Sequence, residues 1–233
     1  MKVIFRHLFL IILLIFFSLN TLKANTYRVG ILHFPPYFIY EEDKELSGTL
    51  LKLMKKVLNR TGIEYSVQGF PPSRLYNNLK VGNVDIWLGI KGVKAYDKEV
   101  LYSKASPAAI DLRIFTRGDV IIPSKKKSLN GKGIIVIRGY SYGGLIDYLK
   151  NPINEIKIYP TNNHIQAIRM LKAKRANYLL DYRRPANWTG KALSSDLTDK
   201  SLKKINLYFI VSKKSKDHVK LMNMIETAYS IIK

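Results

Sequence analysis

The sequence predicts an α/β protein of two similar lobes joined by two crossing segments. Two observations predict it: a strand and helix rhythm that runs twice along the 233 residues, and a terminal strand and helix that need an existing sheet to pack on; a short apolar leader behind Lys2 and Arg6 precedes them. Strand, helix, strand, helix, strand in succession implies a parallel sheet covered by helices.

The leader reads as an export signal. A basic start, the apolar run over residues 8–19 and the ending Leu22-Lys23-Ala24 form the three-part pattern of a cleavable secretion signal. The run falls short of the roughly 20 residues that cross a bilayer, so residues 1–24 are expected to be removed and the domain to reside in the periplasm. An uncleaved anchor is the alternative, and it would tether the same domain outside the membrane. There is no cysteine, which excludes disulfides, thiolate metal sites, a cysteine nucleophile and lipidation on an N-terminal cysteine. Lys and Arg outnumber Asp and Glu 39 to 17, a formal charge of +22, which favours anionic surfaces and ligands. These cations are dispersed in short clusters such as Lys125-Lys126-Lys127 and Arg183-Arg184. They read as a solvated face, and export keeps them from nucleic acid, which is not an expected partner.

The first rhythm begins with a strand over residues 27–32 and the loop His33-Phe34-Pro35-Pro36-Tyr37. After Gly48, residues Leu50, Leu51, Met54, Val57 and Leu58 recur at helical spacing and define one apolar face. Residues 63–67 alternate as a strand, Ser73 is placed to cap a short helix carrying Leu75, Tyr76 and Leu79, and residues 84–89 form the next strand. Residues 109–115 look extended. The rhythm then restarts with a strand over 134–137, a helix over 142–149, a strand over 155–159, a helix capped by Asn162 or Asn163 and bearing Ile165, Ile168 and Leu171, and a strand over 177–180. A strand over 205–212 and a helix over 215–232, with a stripe of Val219, Met222, Ile225, Tyr229 and Ile232, are expected to return to the first sheet. The predicted organisation is therefore residues 25–112 plus 206–233 as lobe 1 and 113–205 as an inserted lobe 2.

Several landmarks, in this order, carry a resemblance: Phe34-Pro35-Pro36-Tyr37; Leu46-Ser47-Gly48; Phe70-Pro71-Pro72-Ser73-Arg74; residues 79–85 from Leu79 through Gly82 to Asp85; Leu101-Tyr102-Ser103 with Pro107; residues 131–139; and residues 207–213. Together they resemble the family 3 extracellular solute-binding proteins, which include polar amino-acid receptors of import systems. The resemblance implies the two-lobed periplasmic binding protein fold with a type II-like pair of crossings, a monomer, no cofactor, and capture of a small polar solute for an inner-membrane ABC permease or for a membrane sensor. It also exposes departures. Where such receptors carry an arginine that clamps the ligand's carboxylate stands Tyr96, which lacks a fixed charge and a two-pronged geometry. The acid that follows the glycine of the first helix is replaced by Thr49.

Ligands of open parallel sheets meet the loops at the carboxyl ends of strands. Phe34 and Tyr37 occupy such a loop and are expected to offer flat rings to a ligand. Arg74, near a helix start, is a candidate for an anionic group, and Lys91 follows a strand within Gly89-Ile90-Lys91-Gly92. In the second lobe Arg138, Tyr140 and Ser141 lie between a strand and a helix whose free N–H groups attract anions. Asp181 ends a strand where, by the resemblance, an aspartate meets the ligand's amine. No metal site is expected, since His7, His33, His164 and His218 show no ligand spacing. Gly139-Tyr140-Ser141-Tyr142-Gly143 does match the loose glycine-x-serine-x-glycine pattern of hydrolases, with Asp181 and His218 following in chain order. Binding without a chemical step is the leading expectation. A periplasmic sensor or adaptor with a divergent pocket is the second, and a serine hydrolase the third.

Overall fold

The computed structural model describes residues 26–40, 45–123, 125–190 and 196–232. The expected signal over residues 1–24 lies outside them. Among the described residues no helix is long and apolar enough to cross a membrane. In chain order the elements are β1 (Tyr27–Ile31), α1 (Thr49–Thr61), β2 (Tyr65–Gly69), α2 (Pro72–Val81), β3 (Ile86–Ile90), β4 (Val100–Tyr102), β5 (Ala108–Arg117), β6 (Gly133–Ile137), α3 (Leu145–Leu149), β7 (Lys157–Thr161), α4 (His164–Lys172), β8 (Tyr178–Tyr182), α5 (Arg183–Gly190), β9 (Leu197–Ser212) and α6 (His218–Ile232).

The strands lie in the order β2-β1-β3-β9-β5-β8-β6-β7, with β4 also pairing β9. The doubled rhythm is visible in that order. In one half β1 runs parallel between β2 and β3, and in the other β6 runs parallel between β7 and β8. Each parallel trio then gains an antiparallel neighbour, β9 on β3 and β5 on β8. The two halves are joined because β9 is long enough to serve both: its first part pairs with β5 from Leu197 to Leu207, and its last part pairs with β3 from Leu207 to Val211. The β5–β9 ladder shifts register between Leu112 and Arg113, an irregularity of the kind that bends a strand pair. Arg113, buried beside it, bonds both Asp111 and Asp199, and Asp111 also accepts from Ser201 and Arg183.

Apolar spacing places the helices. Leu50, Leu51, Met54, Val57 and Leu58 are all buried under α1, and α6 packs against α1 through a face that includes Met222, Ile225 and Tyr229. In the second half Ile168 and Leu171 of α4 cover Phe115, Ile135 and Leu179. Four details differ from the sequence reading. Ser73 lies inside α2, whose cap position is held by Pro71 without a side-chain bond. Ile165 and Val219 are exposed, because the buried stripes run through His164 in α4 and Leu221 in α6. The helix expected over 142–149 begins only at Leu145, since Tyr142, Gly143 and Gly144 all take positive φ. β9 starts at Leu197 rather than near 205, and the short β4 and α5 were not anticipated.

A buried carboxylate fastens the edge of the first half. Asp85, just before β3, accepts hydrogen bonds from the Arg28 backbone N–H at 2.8 Å, from the Arg28 guanidinium at 2.9 and 3.1 Å, and from Ser215 at 2.7 Å. Its backbone carbonyl accepts from the Ser212 N–H at the end of β9. Burial alone would raise its pKa, but the bonds from Arg28 and Ser215 outweigh burial and hold it below the ordinary aspartate value. A lowered folded-state pKa contributes stability that is complete above the unfolded value of about 4 and is lost as pH falls through the folded value. Asp85→Asn is therefore expected to lose about 2 kcal/mol at pH 7. Urea unfolding between pH 3 and 7 is expected to give the variant a flatter acid limb than the parent protein, and parallel limbs would contradict this role of Asp85.

Candidate functional site: an aromatic cleft between the lobes

Loops at the carboxyl ends of β1, β6 and β8 converge between the halves. Phe34, after β1, is 6% exposed and meets Tyr140 and Tyr182 edge to face at centroid distances of 5.8 and 5.1 Å. Its other neighbours are Tyr37, stacked at 5.3 Å, and His164, tilted at 6.3 Å. Tyr142 stacks on Tyr182 at 5.9 Å. The Tyr140 hydroxyl crosses the cleft to donate to the His33 carbonyl at 3.2 Å and lies 3.4 Å from His164 Nε2. Gly139 permits this approach, because its φ is +80° and a Cβ there would stand 3.0 Å from Pro72 Cβ in the other half. Burial pushes the hydroxyls of Tyr140, Tyr142 and Tyr182 well above the ordinary tyrosine pKa, so they stay neutral throughout the physiological range.

Asp181, at the end of β8, is fully buried. His164 Nδ1 lies 2.9 and 2.8 Å from its two oxygens, and Oδ1 also accepts the Tyr182 N–H at 2.7 Å. The carboxyl group is thus engaged from inside the protein. His164 was not singled out from the sequence as a site residue. Its signal was its place on the stripe His164, Ala167, Ile168 and Leu171, which is the buried face of α4.

The converging rings enclose a cavity of about 40 Å³ whose walls include Phe34, Tyr76, Trp87, Tyr140, Ser141 and Tyr182. The ring of Trp87 lies flat across Gly89, where an added Cβ would come within 2.4 Å of the indole. Tyr76, Tyr140 and Ser141 also border a groove of about 540 Å³ that opens outward past Lys94, Arg138, Asp147 and Lys150. Lys94 reaches Asp147 across this groove at 3.1 Å, an exposed pair that contributes little. A wider groove of about 1200 Å³ runs along α6 beside Arg60 and His218, away from these strand ends.

Of the residues proposed from the sequence, Phe34, Tyr140 and Ser141 line the inner cavity, Tyr37 backs Phe34 with the Arg184 guanidinium 5.9 Å from its ring, and Arg138 stands at the mouth. Asp181 joins through His164. Arg74 is exposed on α2 and lines neither space, and Lys91 sits over the rings of Tyr102 and Tyr208 at 5.1 and 5.0 Å. Tyr96 is buried, and its hydroxyl is committed to the Ile90 carbonyl at 2.6 Å. The expected helix N-terminus at 138–143 is replaced by a left-handed turn, so its row of free N–H groups is not formed there. The hydrolase constellation is not assembled either. Ser141 Oγ has no hydrogen-bond partner among the described residues, Asp181 holds His164, and His218 opens α6 on the other groove. Among the described residues no cluster of metal-ligating side chains occurs.

The profile of the bacterial extracellular solute-binding proteins, family 3, matches residues 27–233. The chain belongs to that family. No protein of curated function matches it. Among solved structures, this family 3 domain is similar to an arginine-bound, truncated ArgBP from T. maritima, with 23% identity, a TM-score of 0.70 and coverage of 89% of this chain and 96% of that one. It is also similar to a histidine kinase sensor domain with similarity to periplasmic binding proteins, at 17% identity and a TM-score of 0.75 over 90% and 91% of the two chains. A third likeness is to the substrate binding protein of an amino acid ABC transporter, at 18% identity and a TM-score of 0.69 over 89% and 93%. At these identities the likeness concerns the two-lobed fold.

Within this family 3 domain the His164–Asp181 pair supports the ring cluster from behind. Removing the imidazole by His164→Ala leaves the Asp181 carboxyl group buried with the Tyr182 N–H as its remaining described partner. The variant is expected to lose roughly 1–3 kcal/mol of unfolding free energy, measured by urea denaturation at neutral pH. An unchanged midpoint and slope would contradict a structural role for the pair.

Proposed function

We propose that the chain is an extracytoplasmic receptor that captures a small solute between its lobes, closes on it and delivers it to a membrane permease. The observation that carries this reading is the convergence of Phe34, from one lobe, with Tyr140, Ser141 and Tyr182, from the other, on one cavity. Binding of this kind needs no chemical step. Closure exchanges water for ring contacts and presents a surface built from both lobes, which a partner can read. The described residues within 25–112 and 206–233 make up one lobe and those within 113–205 the other. The hinge lies in the paired β5 and β9, where the register shift beside Arg113 supplies the weak point in an otherwise regular ladder. Delivery to an ABC permease is supported by membership of the family and by the likeness to the substrate binding protein of an amino acid ABC transporter.

A second reading is a sensor module whose closed shape is read by a membrane partner. It is favoured by the ring contacts that bridge the lobes directly and by the likeness to the histidine kinase sensor domain. Both readings require a ligand-dependent change of shape. A panel of amino acids, small carboxylates, amides and amines tested by thermal unfolding is expected to contain a stabilising solute. At about 100 times its Kd such a solute adds roughly 2.7 kcal/mol, or about 5–10 °C in Tm for a chain of this size. A folded protein unmoved by every member of the panel contradicts solute capture. Crosslinking in intact cells then separates the two readings, since a permease subunit recovered with the protein supports uptake and a membrane kinase or receptor supports sensing.

A further inference from the structure

We infer that the solute taken in this cleft is a flat, largely apolar molecule that presents a neutral carbonyl oxygen and carries no ammonium group. The inference rests on the receptor reading and narrows it to a ligand class. It begins with two polar atoms. Trp87 Nε1 and Ser141 Oγ are buried without a hydrogen-bond partner among the described residues, and both side chains line the inner cavity. Trp87 is 3% and Ser141 9% exposed. Buried polar groups in folded proteins are nearly always paired. Two unpaired ones around a single cavity, one from each half, mark a place where an outside group belongs. An indole N–H only donates, and a serine hydroxyl donates or accepts. A carbonyl oxygen is an acceptor suited to either donor.

The remainder of the wall decides what that oxygen is attached to. Among the described residues no Lys, Arg, Asp or Glu lines the cavity, and its broad surfaces are the rings of Phe34, Tyr76, Tyr140 and Tyr182 together with aliphatic side chains. Flat rings in this setting favour stacked or edge-on partners. The neighbouring carboxyl group, Asp181, is engaged by His164 on both oxygens and by the Tyr182 N–H. A buried ammonium would lose its hydration here without gaining a free counter-charge, which is costly. The mouth points the same way. Lys94, Arg138 and Lys150 stand around the outer groove, and its acidic residue, Asp147, is engaged by Lys94. A negative charge that stays at the rim is therefore tolerated, whereas a positive one meets like charges there, and a charge of either sign carried inside meets no opposite side chain among the described residues.

Size sets the route. A cavity of about 40 Å³ has room for little more than a water molecule, whereas benzene fits an apolar cavity of about 150 Å³. The outer groove of about 540 Å³ shares Tyr76, Tyr140 and Ser141 with the inner cavity. Parting the lobes at the hinge merges the two spaces, and the solute enters with its oxygen leading toward Trp87 and Ser141.

The test titrates the purified full chain with five probes, namely benzamide, benzoate, benzylamine, L-phenylalanine and L-arginine, by calorimetry and tryptophan fluorescence. Benzamide is expected to bind saturably, and benzoate and the three ammonium-bearing probes at least tenfold more weakly. Trp87→Phe, which keeps a ring but removes the N–H, and Ser141→Ala are each expected to weaken benzamide about fivefold, the equivalent of about 1 kcal/mol for one hydrogen bond. Unchanged circular dichroism would confirm that both variants fold. Tighter binding of an ammonium-bearing probe than of benzamide, or benzamide binding that neither variant alters, overturns the ligand class and leaves the receptor reading standing. Failure of all five probes to bind also overturns the class, and the broad solute panel then decides separately whether the receptor reading survives.

Discussion

The pairing of β9 with both β5 and β3 is the constraint from which the rest of the structure follows. Its sixteen residues run from the second parallel trio into the first, so the two halves share a sheet while keeping separate parallel cores. β5 accompanies it in the opposite direction, which gives the two crossings without a flexible linker. Because both trios present the carboxyl ends of their central strands toward this crossing, the loops after β1 and β6 face each other. The cleft is a consequence of where one strand is shared.

What fills that meeting place is chiefly aromatic. Phe34 contacts Tyr140, Tyr182 and His164 across the cleft, and the polar groups behind these rings are largely committed to one another: Asp181 to His164, Tyr96 to Ile90, Tyr140 to His33. A charged side chain in such a position would need either water or a counter-ion, and burial in a low-dielectric site makes an unpaired charge expensive. Rings bring no such requirement, and can separate and re-form as the lobes move. The charges instead collect at the mouth, where Lys94, Arg138 and Lys150 remain in contact with solvent. In the proposed receptor, selection by shape and by a few hydrogen bonds would sit inside, and long-range attraction outside.

Much of the fold was legible because it is written in local periodicity. The five apolar residues of α1 recur at helical spacing and all are buried, and the two strand and helix rhythms became two parallel trios of like order. Two misreadings share a physical cause. The first half of β9 carries exposed polar residues, so nothing in its pattern announces a strand, and its extended form depends on hydrogen bonds to β5, distant in sequence. The segment 142–144 looked helical from its neighbours, yet the adjacent Gly143 and Gly144 allow left-handed backbone, and Tyr142 adopts it too while its hydroxyl accepts the Ile137 N–H. Loop position and the family resemblance pointed to Phe34, Tyr140 and Ser141, which the fold brings to one cavity. Neither pointed to Trp87 or His164, because what sets these two apart is which polar atoms have partners, and partners come from remote parts of the chain.

The proposed capture of a solute depends on motion of the lobes about β5 and β9. With no native cysteine in the sequence, spin labels placed at Lys56→Cys on α1 and Arg169→Cys on α4, both exposed positions, report the separation of the halves by pulsed electron paramagnetic resonance. A hinged pair held together by its rings gives a short distance that acquires a longer population when Phe34→Ala removes the central ring. A single narrow distance, identical with and without Phe34, would mean that the halves are locked by the shared sheet and that the cleft does not open.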